Sequence, residues 1–387
     1  MKTESSSKRS AILALYAMNF LNSSTFGAFG VISALYMRDA GVSLAGLGLA
    51  FGVFGIVAGI AGMFFGAHSD RVGRKPYLVL SLGLRAIVWL LYIQATNLAG
   101  FAVLNVLNGV STSLSGAIVP ALITDLTKES ERGRRFGGMG GLGWLGTGLG
   151  YFIGGAVSQF LGYSVSFTFL FILTLISCLL VLVFVPVYHM PSGERFKLTL
   201  VKGFSSNLKI LFVVSIATAL VIGPVEAMVI PLYAVAPGPL GIDKMVFGTF
   251  MSIGYIISSS AQFIGGNLAD KHSRRKLASL SRLLSAPFIA VQPFFPSFMF
   301  FAPMYVLEGI GEGLGGPCTN AILASSARSE HRGFDFSMVN LLGNVGSTIG
   351  FIGMGVFLDS MGFILPFIVR AIVYVLVALL IYIKLKD

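Results

Sequence analysis

The sequence predicts an all-α membrane protein of twelve transmembrane helices in two pseudo-symmetric six-helix bundles, and three observations carry that prediction. Of its 387 residues, 55% are hydrophobic and only 11% charged, whereas a soluble domain is about one quarter charged. The apolar residues fall in runs of roughly 20 or more, the length that crosses a hydrocarbon core. One charged stretch, Gly66-Ala67-His68-Ser69-Asp70-Arg71-Val72-Gly73-Arg74-Lys75, returns in altered form as Gly266-Asn267-Leu268-Ala269-Asp270-Lys271-His272-Ser273-Arg274-Arg275-Lys276. Gly66 then lies over Gly266, Asp70 over Asp270 and Arg74 over Arg274, so the chain reads as two similar halves.

Lys8-Arg9 ahead of the first run could open a secretory signal, but the run over 10–37 is too long for a signal core and lacks a small-residue cleavage site. It is read as helix 1. The other spans fall near 42–67, 76–96, 98–123, 136–160, 163–187, 208–235, 242–268, 277–296, 298–326, 334–358 and 363–384. They are too long and too continuously apolar for the alternating strands of a membrane barrel. Pro120, Pro224, Pro231, Pro303 and Pro317 lie inside them, where neighbouring helices can re-satisfy the carbonyls a proline frees. The 48 Gly and 33 Phe fit close helix contacts and lipid-facing surface respectively.

Orientation follows from the basic residues. Of 27 Lys and Arg, the odd-to-even connections carry only Arg38 and Lys244, while the ends and the even-to-odd connections carry nearly all the rest. Both termini are therefore expected to be cytoplasmic in a plasma (inner) membrane protein. The net charge of +11 is a topological signature that also suits anionic lipid headgroups, and no nucleic-acid partner is expected. The connection over 188–207, with Pro191, Ser192 and Gly193, reads as a cytoplasmic linker between bundles at 1–187 and 208–387.

Several function classes lose their footing. Cys178 and Cys318 sit inside apolar runs and read as small buried hydrophobes. The four histidines lie in polar connections without convergent spacing, so no metal site is expected. There is no phosphate loop of the Gly-x4-Gly-Lys-Ser/Thr kind, and no cofactor is expected. A membrane-embedded lipid enzyme would need a nucleophile and base near the interface, and the spans contain no histidine.

The first charged stretch resembles the loop motif between helices 2 and 3 of the major facilitator superfamily, Gly-x-x-x-Asp-Arg-x-Gly-Arg-Arg/Lys, and matches at Gly66, Asp70, Arg71, Gly73, Arg74 and Lys75. The second copy keeps Asp270 and Arg274 but has Lys271 and Ser273 in place of the Arg and Gly. The resemblance implies a cytoplasmic gate in which Asp70 docks at the start of helix 11 near Phe334 and Arg74 pairs with an acid such as Asp125. On residue chemistry alone, these bases can equally serve topology. Helix 5 carries Gly137, Gly146, Gly150, Gly154 and Gly155, similar to the glycine signature of the family's drug:proton antiporter branch, with Tyr151 at the place of its proline. Generic small-residue packing is the other reading. Gly143, Gly146, Gly150 and Gly155 recur as Gly343, Gly346, Gly350 and Gly355, which favours a packing role in both halves. Helix 4 has Asn105 where that branch has a basic residue, so a relay built on that arginine is excluded.

The sharpest candidates are carboxylates inside apolar runs, because a charge at the bilayer centre costs at least ~2.5–3.5 kcal/mol. Glu226 on helix 7 and Glu308 and Glu312 on helix 10 are these, as proton- or substrate-coupling groups or else as neutral structural acids or partners of a buried Arg. Glu308 and Glu312 share a helix face. Counting at about 1.5 Å per residue places Glu226 and Glu312 roughly 25 Å above the cytoplasmic edge, so they can meet. The resemblance implies that helices 1, 4, 7 and 10 line a central cavity, to which Asn19, Asn22, Thr25, Asn105, Asn108 and Thr112 would add polar groups, or else serve interhelical hydrogen bonds. It also places helices 3 and 12 peripherally, so Arg85 and Arg370 are expected to snorkel or to form structural pairs.

The expected function is a secondary active transporter working by alternating access, with proton-coupled export of an amphipathic or cationic small molecule favoured. A buried Glu can trade a proton for such a substrate. Import or facilitated diffusion of a metabolite is the alternative, and a lipid enzyme is a remote one. The expected partners are a small-molecule substrate, protons and membrane lipid, with the chain a monomer.

Overall fold

The computed structural model describes residues 2–127, 132–186, 203–328 and 332–385. The linker residues 188–202 lie outside the described set, as do the side chains of Asp70, Arg71, Asp125, Asp270 and Phe334 and the surroundings of Gly66. The gate contacts expected for them are therefore not described.

Twelve long helical rods follow one another, with no strand among the described residues. They are α1 (Lys2–Asp39), α2 (Leu44–Val72), α3 (Arg74–Tyr92), α4 (Leu98–Leu126), α5 (Arg132–Phe160), α6 (Gly162–Phe184), α7 (Ser206–Pro224, continued through Val225–Val229 and Ile230–Ala234), α8 (Lys244–Lys271), α9 (Arg274–Val291), α10 (Phe298–Ser326), α11 (Arg332–Met361) and α12 (Ile364–Lys384). Among the described residues, seven helices carry an apolar window long and uniform enough to cross a bilayer, from Leu44–Gly62 through to Ile364–Lys384. Charge and glycine dilute the others: α9 opens on Arg274, Arg275 and Lys276, and α5 is glycine-rich.

The charged stretch expected as a loop is mostly helix. α2 runs through Asp70 and Arg71 to Val72, and one residue, Gly73, separates it from α3. Gly73 has φ +104°, a conformation that costs a side chain dearly and glycine little. Its counterpart Ser273 caps α9 instead, its hydroxyl accepting from the Lys276 N–H at 3.2 Å. Helix 9 also stops short of the expected 296, because Pro293 lacks an N–H and the chain tightens into a 3₁₀ turn over Gln292–Phe294.

Contacts divide the chain into two units: Met1–Ala40, Ile56–Phe196 and Lys244–Ser252, and Gly41–Gly55, Lys197–Asp243 and Ile253–Asp387. The expected boundaries at 187 and 208 do not account for the two exchanged helix ends, Gly41–Gly55 and Lys244–Ser252.

Within unit 1, α1 packs against α5 through glycine. A methyl group built on Gly146 would stand 2.4 Å from the Phe20 carbonyl oxygen, and one on Gly150 2.1 Å from that of Ser24. Unit 2 repeats the joint between α7 and α11, where a methyl group on Gly346 would stand 2.3 Å from the Ile216 carbonyl oxygen and one on Gly350 2.0 Å from that of Leu220. Close backbone approach of this kind drives helix association where lipid removes the usual hydrophobic force. The side-chain bonds across the joint also match: Asn19 donates to the Met139 carbonyl at 2.8 Å, and Ser215 to that of Val339 at 2.9 Å. Gly154 meets Ala28 on α1, Gly155 meets Gly248 on the exchanged end of α8, and Gly137 faces open space. The pattern Gly155–Gly248 recurs in unit 2 as Gly355–Gly48.

Each unit has an apolar core, centred in unit 1 on Leu15, Leu78, Leu82, Leu122 and Val181 and in unit 2 on Leu208, Leu211, Ala278, Ile322 and Val377. Burial of this kind costs polar residues heavily unless they are paired, which makes the polar groups inside each unit informative.

Candidate functional site

α7 is interrupted near its C-terminal end by a π turn over Val225–Val229, in which the Ile230 N–H reaches back to the Val225 carbonyl. Pro231 follows, and a proline ring crowds the carbonyl four residues before it, which favours widening the turn. Such turns re-aim side chains and often mark functional positions. This one carries Glu226.

Glu226, Glu308 and Glu312 converge on Arg370 of α12, whose side chain is 0% exposed. Arg370 Nη1 stands 2.9 Å from Glu226 Oε1, and Nη2 stands 2.5 Å from Glu308 Oε1 and 3.4 Å from Glu312 Oε1. The second oxygens are also engaged. Tyr305 donates to Glu226 Oε2 at 2.7 Å, and Gln292 Nε2 donates to Glu308 Oε2 at 2.7 Å. The Ser285 hydroxyl bonds the Glu308 carbonyl at 3.0 Å and ties α9 to α10 behind the cluster. The guanidinium also lies 5.5 Å from the centre of the Tyr374 ring, within range of a cation–π attraction.

The three acids are graded. Glu308 is 2% exposed and held by Arg370 and Gln292, Glu226 is 20% exposed, and Glu312 is 33% exposed and makes the longest contact. The structure brings the three glutamates together, and of the two expectations for Arg370 it shows the ion pair rather than snorkelling: α12 turns Phe367, Arg370, Ala371, Tyr374 and Ala378 inward. That buried stripe at helical spacing was readable as one face, with Arg370 and Tyr374 one turn apart on it.

Unit 1 has its own polar cluster around Arg85 of α3, which is 6% exposed. Its Nε donates to Ser111 Oγ at 3.1 Å, Nη1 to Asn22 Oδ1 at 2.5 Å and Nη2 to Thr112 Oγ1 at 2.8 Å. Ser81 and Ser111 bond each other's carbonyls and lock α3 to α4. Arg85 therefore does not snorkel, and among the described residues no acid pairs with it. The other polar candidates are placed separately: Thr25 bonds the carbonyl of Asn22 on its own helix, Asn105 accepts from Tyr92 at 2.9 Å, and Asn108 is buried on α4. Asn105 Nδ2 has no hydrogen-bond partner. In the gate motif, Arg274 Nε donates to the Ala269 carbonyl at 3.4 Å.

The model of the Major Facilitator Superfamily matches residues 14–236 and 211–387. Citrate exporter 1 of Aspergillus niger is 30% identical over 38% of this chain, a stretch spanning 28% of that protein. The class B tetracycline resistance protein of Escherichia coli is 24% identical over 79% of this chain and 76% of its own length. Among solved structures, a bacterial homologue of the human lysosomal transporter Spinster, inward-facing and unoccupied, superposes with a TM-score of 0.81 at 15% identity over 98% of this chain and 97% of that one, a likeness of fold. An all-helical chain matched along nearly its whole length by this family, with buried charge held inside its helices, is a multi-pass membrane transporter of the major facilitator superfamily.

Proposed function

We propose that the chain is a proton-coupled secondary transporter that exports an amphipathic small molecule across the cell membrane, with both termini cytoplasmic and Glu312 as the exchangeable proton carrier. The observation that carries this reading is the shared cation: three carboxylates inside the spans face one guanidinium. Charges this close in a low-dielectric interior cannot all remain ionised, since like carboxylates around one site force a proton onto one of them. Glu308 is the wrong candidate for exchange, because it is fixed by two donors and sealed from solvent. Glu312 has the longest contact and the largest exposure, so it can give up its proton and return to the arginine as access alternates. Glu226, on the π turn and bridged by Tyr305, transmits the change to α7.

Arg370 already supplies the acids with a cation, so they do not call for a cationic substrate. That moves the reading from a cation towards an amphipathic molecule whose charge is recognised elsewhere. The tetracycline resistance protein and the citrate exporter among the relatives speak for outward transport.

The test is gradient-driven accumulation in proteoliposomes, using a compound selected by thermal stabilisation of the purified protein. Wild type should concentrate the compound under an imposed pH gradient and cease when an ionophore collapses it. Glu312→Gln should still equilibrate the compound but lose concentration against a gradient. If wild type ignores the ionophore, the protein is a facilitator and the acids serve structure alone.

A further inference from the structure

Arg85 poses a charge problem that no acid among the described residues solves. Its three nitrogens are met by Ser111, Asn22 and Thr112, whose oxygens are neutral. Dipoles satisfy hydrogen bonds, but they do not balance a charge taken out of water. An arginine has five N–H groups, and the three bonds named leave further donor capacity on the same fork. Unit 2 shows how this chain balances such a group when it does so internally, with acids placed against Arg370.

The two edges of the guanidinium differ. Nε is anchored by Ser111, fully buried and itself tied to Ser81. Nη1 and Nη2 are covered by Asn22 and Thr112, both only partly buried. The parallel pair of N–H groups that grips a carboxylate bidentately is therefore the pair whose neutral partners can be displaced. A displaced Asn22 amide and Thr112 hydroxyl can each turn a donor towards the incoming oxygens.

We infer that Arg85, Asn22 and Thr112 form an anion site that takes the carboxylate of the transported molecule, so that the substrate is an amphipathic organic acid. This rests on the transporter reading but not on proton coupling through Glu312. Arg85 is a binding residue here, Ser111 and Ser81 position it, and Asn22 and Thr112 act as placeholders until the anion arrives.

The experiment is thermal unfolding of the purified full chain against matched probes: benzoate, salicylate and citrate as acids, benzamide as the neutral control and benzylammonium as the cation. At least one acid should stabilise wild type, while benzamide and benzylammonium do not. Arg85→Lys keeps the charge without the fork and should weaken that acid about tenfold or more. Asn22→Asp is the decisive variant, because it sets a carboxylate beside Nη1. It should raise the unfolding temperature on its own and abolish the response to the acid, and it tests the site even if Arg85 variants fail to fold. The inference is overturned if no acid stabilises wild type, if benzylammonium stabilises it instead, or if Asn22→Asp leaves the response intact. Glu312→Gln should keep the acid response, so loss of proton coupling and loss of this site are read separately.

Discussion

Arg85 and Arg370 are both buried arginines in the spans of a duplicated fold, yet their surroundings differ completely. Arg370 meets three carboxylates, and Arg85 meets an amide and two hydroxyls. The helix joints around them are near copies, down to Gly150 and Gly350 against the carbonyls of Ser24 and Leu220. Duplication thus preserved the packing that holds each unit together and let the interior charges diverge. The chemistry lies where the two units disagree.

The largest effect expected from breaking that contrast is at Arg370. Arg370→Gln strands Glu308 without its cation and should cost about 3–5 kcal/mol, read as a large fall in unfolding temperature, with Glu308→Gln in the same chain recovering much of it. Simple additivity of the two would contradict the pairing. Next come the symmetric joints. Gly150→Leu and Gly350→Leu must each push a helix off a backbone carbonyl, at about 1–3 kcal/mol apiece, and unfolding of the two variants should shift alike. A marked inequality would break the claim that the packing is duplicated.

Smaller still are the bonds across those joints. Asn19→Ala and Ser215→Ala each remove one interhelical hydrogen bond and should lower stability by about 0.5–1.5 kcal/mol. The smallest change expected is at Arg85. Arg85→Met removes a charge that no acid among the described residues balances, and Ser111 keeps its bond to the Ser81 carbonyl, so unfolding should move by less than about 1 kcal/mol. A loss comparable to that of Arg370→Gln would show that Arg85 is a structural cation after all.

Much of this was legible in the chain. Unbroken apolar runs dictate helices in lipid, since every backbone group must bond within its own segment. The repeat of Gly143, Gly146, Gly150 and Gly155 as Gly343, Gly346, Gly350 and Gly355 announced matching joints because only small residues let backbones touch. Glu226, Glu308 and Glu312 stood out because charge is costly in hydrocarbon. What the chain concealed depends on rotation and packing. Whether Arg370 snorkels to the interface or pairs inside the unit is a matter of how α12 turns and of which acids its neighbours present, and the sequence left both open. The π turn at Glu226 arises from local crowding near Pro231, and Gly73 alone, rather than a charged loop, proved to be the break between α2 and α3. The exchanged ends Gly41–Gly55 and Lys244–Ser252 leave no trace in composition.

The central claim, that the acids around Arg370 hold an exchangeable proton and that Glu312 releases it, is open to infrared difference spectroscopy on the purified protein taken through a pH titration. A protonated-carboxyl stretch that fades as pH rises, and is missing in Glu312→Gln while Glu308→Gln retains it, is the predicted result. A titrating band that survives in Glu312→Gln, or no buried carboxyl band at any pH, would contradict it.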